Sequence, residues 1–157
     1  MSRKTRYQGA IVKDDRILLL RTHRHSTGER YWLLPGGGRK TGESSRACIR
    51  REMLEETCLE VHVVKLLLDE ATDFNELYTR KKTYLCIPVG GEASPGYEPE
   101  EEGGGDFEIT EVRWFDLRAD TGWDAEMRAD PITYPAVQGV RQALGYLPGG
   151  LPEETGN

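Results

Sequence analysis

The stretch from Gly36 to Glu60, GGGRKTGESSRACIRREMLEETCLE, joins three glycines to a polar segment that carries a group of glutamates. Its pattern predicts an α-helix from about Ser45 to Thr57, with a serine at the N-terminal cap. At about 100° per residue, Glu52, Glu55 and Glu56 fall on one side of this helix. Like charges at these spacings cost about 0.2–0.5 kcal/mol per pair. The arrangement is therefore unfavourable unless a cation lies among the carboxylates, which suit a hard divalent ion.

The composition of the chain indicates one acidic globular domain. Of its 157 residues, 37% are hydrophobic and 31% charged, and the formal net charge is −6. We expect a single domain over residues 1–147 and a flexible tail over residues 148–157. The negative charge gives no basic field for nucleic acid or an anionic membrane, so neither is an expected partner. An anionic substrate would need a bound divalent cation to approach this protein.

The cysteines and the N-terminus indicate a cytoplasmic protein. Cys48, Cys58 and Cys86 are odd in number and show no paired short spacing, which argues against a disulfide framework and fits a reducing compartment. The N-terminal segment lacks an apolar signal core, and no run approaches membrane-spanning length.

Strand patterns on both sides of the glutamate helix predict a mixed α/β (α+β) fold. Asp14 and Asp15 mark a hairpin turn, whereas residues 23–30 and 90–105 read as polar loops, the second of them mobile. An amphipathic helix begins near Tyr134 and closes the domain. Strands are predicted over residues 7–12, 61–71, 77–89 and 107–117, and two further strands are predicted to begin at residues 16 and 31.

The glutamate stretch resembles the signature of the Nudix hydrolases, the MutT-like family. Six residues fit its fixed spacing: Gly37, Glu43, Arg51, Glu52, Glu55 and Glu56. Three glutamates alone are also typical of a solvated helix face. Six residues at this spacing arise by chance with a probability on the order of 10⁻⁵, from average residue usage. The segments LLPGGG and EVRWFDL extend the resemblance, which implies a mixed β-sheet sandwiched between α-helices.

The resemblance also implies a reaction and a cofactor. Nudix enzymes cleave a diphosphate linkage in a nucleoside diphosphate derivative, with water and a divalent ion, here expected to be Mg²⁺ or Mn²⁺. The implied metal ligands are Glu52, Glu55, Glu56 and the Gly37 carbonyl. The expected role of Arg51 is to orient a glutamate by ion pairing. Glu43 is expected to hold the glycine loop against the helix.

Family members often use one further acid from outside the signature, as a ligand or a general base. We prefer Glu108, which lies six residues before Trp114 and at a strand edge. The general base that activates water is either Glu52 or this outside acid. The predicted substrate contacts are Gly37, Gly38 and Arg21, although an arginine at the position of Arg21 more often lies on the surface. The outside acids considered are Glu98, Glu100, Glu101, Glu102, Glu108 and Glu111.

Four questions remain open at the level of sequence. Cys58 replaces the usual glycine of the signature, and a left-handed cysteine costs roughly 1 kcal/mol, which predicts a different helix end. The substrate classes considered are nucleoside triphosphates, dinucleoside polyphosphates and nucleotide sugars including ADP-ribose, with the short chain favouring the first two. A non-catalytic nucleotide-binding module is the alternative function, and a homodimer the alternative to a monomer.

Overall fold

The computed structural model describes residues 4–75, 77–97 and 105–147. The tail predicted over residues 148–157 and four candidate acids, Glu98, Glu100, Glu101 and Glu102, lie outside these ranges. Within them lie seven strands and three helices: β1 (Lys4–Lys13), β2 (Arg16–Arg24), β3 (Arg30–Leu33), β4 (Gly36–Gly38), α1 (Ser45–Thr57), β5 (Glu60–Asn75), β6 (Tyr78–Gly90), β7 (Phe107–Asp116), α2 (Ala125–Arg128) and α3 (Thr133–Ala143).

The strands form one mixed sheet in the order β3-β2-β1-β6-β5, with β4 paired to β1 and β7 paired to β2. β1 and β6 are parallel, and the other pairs are antiparallel. Because β1 pairs with β2, β4 and β6, it connects the glycine strand to the rest of the sheet.

Helices cover both faces of this sheet. Successive residues of a strand point to opposite faces, and Leu18 and Leu19 of β2 accordingly belong to different cores. The core under α1 includes Ile11, Leu18, Ile49, Met53 and Val63. The core under α2 and α3 includes Ile17, Leu19, Phe115, Met127 and Val137. The predicted arrangement, a mixed sheet between α-helices, is confirmed.

The sequence predicts the first hairpin correctly, but it misplaces the start of the next loop and the structure of the glycine segment. The hairpin between β1 and β2 has Asp14 and Asp15 at φ 52° and 62°, as a tight turn requires. The polar loop predicted from residue 23 begins later, since β2 continues through Arg24. The three glycines also form a strand, β4, rather than a loop.

Helix α1 has the predicted bounds, with Ser44 as its N-cap through a hydrogen bond from the Ala47 N–H to the Ser44 hydroxyl, 3.1 Å long. The sequence prediction that this helix ends differently at Cys58 is wrong. Cys58 adopts the left-handed conformation, with φ 66°, that the usual glycine would take. The helix end is therefore retained, because the Cys58 N–H still donates to the Leu54 carbonyl at 3.0 Å.

The first part of the segment predicted as a mobile loop packs against α1. The N–H groups of Ser94, Gly96 and Tyr97 donate to the last carbonyls of the helix at 2.9 Å each. Helix α2 has no counterpart in the sequence prediction; it is a single turn that Asp124 caps and that buries Met127. None of the helices in the described part of the chain is long and apolar enough to cross a membrane.

Candidate active site

The glutamates of α1 lie in an unusual environment for carboxylates. Glu52 is 0% exposed and Glu56 1% exposed, and the side chain of Glu55 is 16% exposed. Ile49 and Met53 anchor the neighbouring positions of the helix in the core. Burial of a carboxylate costs several kcal/mol unless charges or hydrogen bonds compensate for it. A solvated helix face, the alternative interpretation of the sequence, is therefore wrong for Glu52 and Glu56.

Arg51 connects these glutamates to the glycine strand. Its Nη1 donates to Glu52 Oε2 at 3.1 Å and to Glu55 Oε1 at 3.2 Å. Its Nη2 donates to the Gly38 carbonyl at 3.1 Å. The remaining donors bind Glu43, with Nε to Oε2 at 2.7 Å and Nη2 to Oε1 at 2.9 Å. One guanidinium thus fixes three carboxylates and one carbonyl.

The same contacts shift the ionisation of Arg51 and Glu43. The hydrogen bond from Arg51 lowers the pKa of the Glu43 carboxyl below its ordinary value of 4.5, and the Lys40 N–H contributes in the same direction. The hydrogen bond to Glu43 in turn raises the pKa of Arg51. Both groups therefore stay charged around neutral pH.

Strand β4 brings backbone close to α1 because its residues are glycines. The Gly36 N–H donates to Glu56 Oε1 at 2.8 Å. A Cβ at Gly36 would lie 2.7 Å from the Gln8 Cα, closer than backbone atoms allow. Buried Arg6 supports the same strand, with Nη1 donating to the Gly36 carbonyl at 3.3 Å and Nη2 to the Leu34 carbonyl at 2.9 Å. The strand that carries Gly37 and Gly38 therefore lies against the helix that carries the glutamates.

These residues fit a hard divalent ion. The donor set consists of carboxylate oxygens and nearby backbone carbonyls, which Mg²⁺ and Mn²⁺ prefer. Arg51 supplies one positive charge to Glu43, Glu52 and Glu55 together. A doubly charged ion would offset the remaining negative charge of Glu52, Glu55 and Glu56.

Arg6 and Lys81 were not identified as site residues from the sequence, although the basic run at residues 80–82 contains one of them. The two residues are partners in the parallel β1–β6 register, and the side chain of Lys81 is 12% exposed. Burial lowers the pKa of Lys81, Arg6 adds to that effect, and Glu70 opposes it. The basic run of Arg80, Lys81 and Lys82 was the available sequence signal.

Arg21 lies on the sheet face that α2 and α3 cover. Its side chain is 12% exposed, so the open surface position that the sequence favoured is wrong. It forms an ion pair with Glu126 of α2, and its guanidinium carbon lies 5.1 Å from the centre of the Trp32 ring. The structure records no contact between Arg21 and the α1 glutamates, within the part of the chain that it describes.

Glu108 lies near two histidines. It pairs with His23 across the β2–β7 ladder, and its Oε1 lies 3.4 Å from the Nε2 of His25. Glu111, another acid considered, accepts a hydrogen bond from Arg113 at 2.8 Å. Neither acid has a recorded contact with α1 in the described ranges, so an additional ligand from outside the signature stays a prediction.

Comparison with known proteins decides the family. The family model described as the NUDIX domain matches residues 3–132. The chain belongs to the Nudix family. The spacing of glycine, glutamates and arginine in β4 and α1 is therefore a Nudix signature, and two of its glutamates, Glu52 and Glu56, are the buried ones described above.

Individual Nudix relatives are similar over different shares of the chain. NAD-capped RNA hydrolase NudC of Vibrio atlanticus (strain LGP32) is 27% identical over 108 residues, 69% of this chain and 35% of that protein, so the chain spans about a third of its length. The crystal structure of a UDP-X diphosphatase has a TM-score of 0.66 at 26% identity, covering 92% of this chain and 64% of that one. A MutT Nudix hydrolase from Burkholderia pseudomallei has a TM-score of 0.64 at 26% identity, with 89% and 99% covered.

Proposed function

We propose that this protein is a divalent-metal-dependent pyrophosphohydrolase that cleaves the diphosphate linkage of a small nucleoside diphosphate derivative. The observation that carries the proposal is the burial of Glu52 and Glu56, at 0% and 1% exposure, beside the glycine strand. Burial of carboxylates in a chain with a net charge of −6 is costly, and a bound cation would add to the compensation that Arg51 gives Glu52 and the Gly36 N–H gives Glu56. The Nudix family membership supplies the reaction class.

In this proposal Glu52, Glu55 and Glu56 are the principal ligands of Mg²⁺ or Mn²⁺, and the Gly37 carbonyl is an additional donor. The bound ion supplies polarisation of the phosphoryl oxygens and a lower pKa for an attacking water. Arg51 holds Glu52 and Glu55 in position through its Nη1.

The proton acceptor for the attacking water is either Glu52 or an acid outside the signature, for which Glu108 stays the prediction. Gly38 and Arg21 stay predicted substrate contacts. Arg6 and Lys81, adjacent in the β1–β6 register, add positive charge that attracts the substrate phosphates despite the acidic chain.

The substrate class rests on chemistry and on relatives. Two similar proteins are named for nucleotide-derived substrates, NAD-capped RNA and UDP-X. The sequence favours nucleoside triphosphates or dinucleoside polyphosphates, so both groups belong in the test. Because all three cysteines are free thiols, the proposal includes a reducing, cytoplasmic setting.

The decisive experiment incubates the purified 157-residue chain with a substrate panel and Mg²⁺ in ¹⁸O-labelled water. The panel holds nucleoside triphosphates, dinucleoside polyphosphates, ADP-ribose, UDP-sugars, NAD and an NAD-capped oligonucleotide. We expect cleavage of at least one compound with Mg²⁺ and none with chelator, and mass analysis of the products identifies the attacked phosphorus. Binding without turnover across the panel would overturn the proposal in favour of a nucleotide sensor.

The variant Glu56→Gln tests the metal role directly. The amide keeps an oxygen that accepts the Gly36 N–H but removes one negative charge, so turnover should fall by at least about 100-fold. Glu60→Gln, at an exposed position of β5, is the matched control and should keep its activity. Steady-state rates and thermal unfolding of both variants provide the measurement. Near-normal turnover of a folded Glu56→Gln protein would refute the ligand assignment.

A further inference from the structure

We propose that His23, His25 and Glu108 form a second metal site, which takes an imidazole-binding divalent ion of the zinc type. One ligand atom of each side chain lies within 4.8 Å of the other two. His25 Nε2 and Glu108 Oε1 are 3.4 Å apart, and the ring centres of His23 and His25 are 4.9 Å apart. The inference does not depend on the proposed hydrolase activity, but it assigns Glu108 to this site instead of to the metal site of α1.

Sheet geometry explains how these side chains meet. His23 lies on β2 and His25 follows its end, and residues two positions apart in extended chain point to the same side. Glu108 is the cross-strand partner of His23 on β7. That pairing depends on a register shift at Thr110, which falls between two consecutive pairs of the β2–β7 ladder. Without this extra residue, Glu108 would point to the opposite face of the sheet.

Hydrogen bonds fix the backbone that carries the two histidines. The His25 N–H donates to the Asp106 carbonyl at 2.7 Å. The Ser26 N–H donates to the Asp106 carboxylate at 2.8 Å, and the Arg24 N–H donates to the Glu29 carbonyl at 2.8 Å. These hydrogen bonds hold part of the loop between β2 and β3 against Asp106, next to the start of β7. A bound ion would therefore have to immobilise few additional groups.

The donor set selects the ion. Two imidazole nitrogens and one carboxylate form a three-ligand set found in zinc sites, with a fourth position left for water. Zinc–ligand distances of about 2.0–2.2 Å place ligand atoms roughly 3.3–3.6 Å apart in a tetrahedron. The separation of 3.4 Å between His25 and Glu108 already matches that spacing. The side chains of His25 and Glu108 are 50% and 58% exposed, so their rotation can shorten the remaining distances between ligand atoms, which are up to 4.8 Å.

This donor set differs from that of α1. The glutamates of α1 offer oxygen alone, which Mg²⁺ prefers, whereas imidazole favours zinc-type ions. The two sites should therefore load different ions from a mixture. A histidine–glutamate contact without a metal is the competing explanation, and the two make different predictions for zinc.

Calorimetric titration of the chelator-treated 157-residue protein with Zn²⁺, in excess Mg²⁺, tests the site. We expect about one equivalent to bind, and His23→Gln and His25→Gln should each weaken that binding at least about 10-fold. The third histidine of the chain, exposed His62 on β5, provides the matched control His62→Gln, which should bind zinc normally. All proteins carry Cys58→Ser, because Cys58 is an exposed thiol and thiolates bind zinc.

A second measurement avoids any variant that fails to fold. In the NMR spectrum of the protein with native histidines, Zn²⁺ should shift the ring resonances of His23 and His25 and leave those of His62 in place. Histidine-dependent binding with these shifts supports the site. Absence of zinc binding, binding that is unchanged in both His23→Gln and His25→Gln, or shifts confined to His62 would overturn it.

Discussion

At the scale of single residues, the orientation of the glutamates depends on the shape of one guanidinium. Arg51 uses Nε and Nη2 on Glu43, at 2.7 and 2.9 Å, and Nη1 on Glu52 and Glu55. A lysine carries a single ammonium and cannot reproduce this planar set of donors. The positions of the carboxylates should therefore be sensitive to a change that conserves charge.

We expect Arg51→Lys to weaken Mg²⁺ affinity by about 10-fold or more, as loss of a group that orients metal ligands typically does. Arg50→Lys, one position earlier and exposed on the same helix, should leave the affinity unchanged. Calorimetry with Mg²⁺ measures both and requires no knowledge of the substrate. Equal affinities for the two variants would show that charge alone positions Glu52 and Glu55.

Glu43 should make stability depend on pH. Hydrogen bonding to Arg51 lowers its pKa below 4.5, so the native carboxylate stays ionised at a pH where the unfolded one is protonated. This stabilisation is complete above about pH 4.5 and is lost as the pH falls through the lower native pKa. Glu43→Gln should cost about 1–3 kcal/mol near neutral pH, and less in acid.

Urea unfolding of Glu43→Gln and the unmodified protein, at neutral pH and below about pH 4.5, measures this difference. Exposed Glu92 supplies the control Glu92→Gln, which should follow the unmodified protein at both values. A destabilisation of Glu43→Gln that is the same at every pH would mean that packing rather than charge explains the effect.

At the scale of elements, α1 is held at its C-terminal end by the chain that follows β6. The last carbonyls of a helix lack partners within the helix, and Ser94, Gly96 and Tyr97 supply the donors here. Gly96 approaches so closely that a Cβ would lie 2.7 and 2.9 Å from the carbonyl carbons of Glu55 and Glu56. Because these are backbone atoms, they cannot rotate away.

Gly96→Ala should therefore destabilise the protein by about 2 kcal/mol through overpacking and should disturb the helix turn that carries Glu55 and Glu56. Thermal unfolding and Mg²⁺ titration test the two effects. Gly122→Ala, where an added Cβ meets nothing within 4 Å, is the control. Unchanged stability of Gly96→Ala would mean that the segment can move off the helix without cost.

Local elements were predictable because their signals are local. The cap at Ser44 and the glutamate spacing define α1, and the paired aspartates Asp14 and Asp15 define the first hairpin. The left-handed Cys58 was not predictable, because the hydrogen bond of its N–H to Leu54 and the neighbouring segment hold it against its own preference.

Features that depend on distant pairing were not predictable from one sequence. β4 is a strand because its glycines pair with β1, about thirty residues earlier. Glu108 faces His23 because of a register shift at Thr110, and such shifts leave no clear signal in composition. The glutamates of the proposed site could be singled out in the sequence because they share one helix, whereas an additional acid depends on how separate strands align.

At the scale of the whole molecule, buried carboxylates in a chain with a net charge of −6 should couple metal binding to stability. An ion that binds the native state alone stabilises it by about 2.7 kcal/mol at a concentration 100 times its Kd. We therefore expect Mg²⁺ to raise the Tm of the chelator-treated protein by several degrees. NaCl at equal ionic strength should raise the Tm less, because screening acts on exposed charges more than on buried ones. Glu56→Gln should respond less to Mg²⁺ than the unmodified protein, since it lacks one of the charges that the ion neutralises. If NaCl matched the effect of Mg²⁺ in both proteins, general screening of an acidic surface would explain the stabilisation.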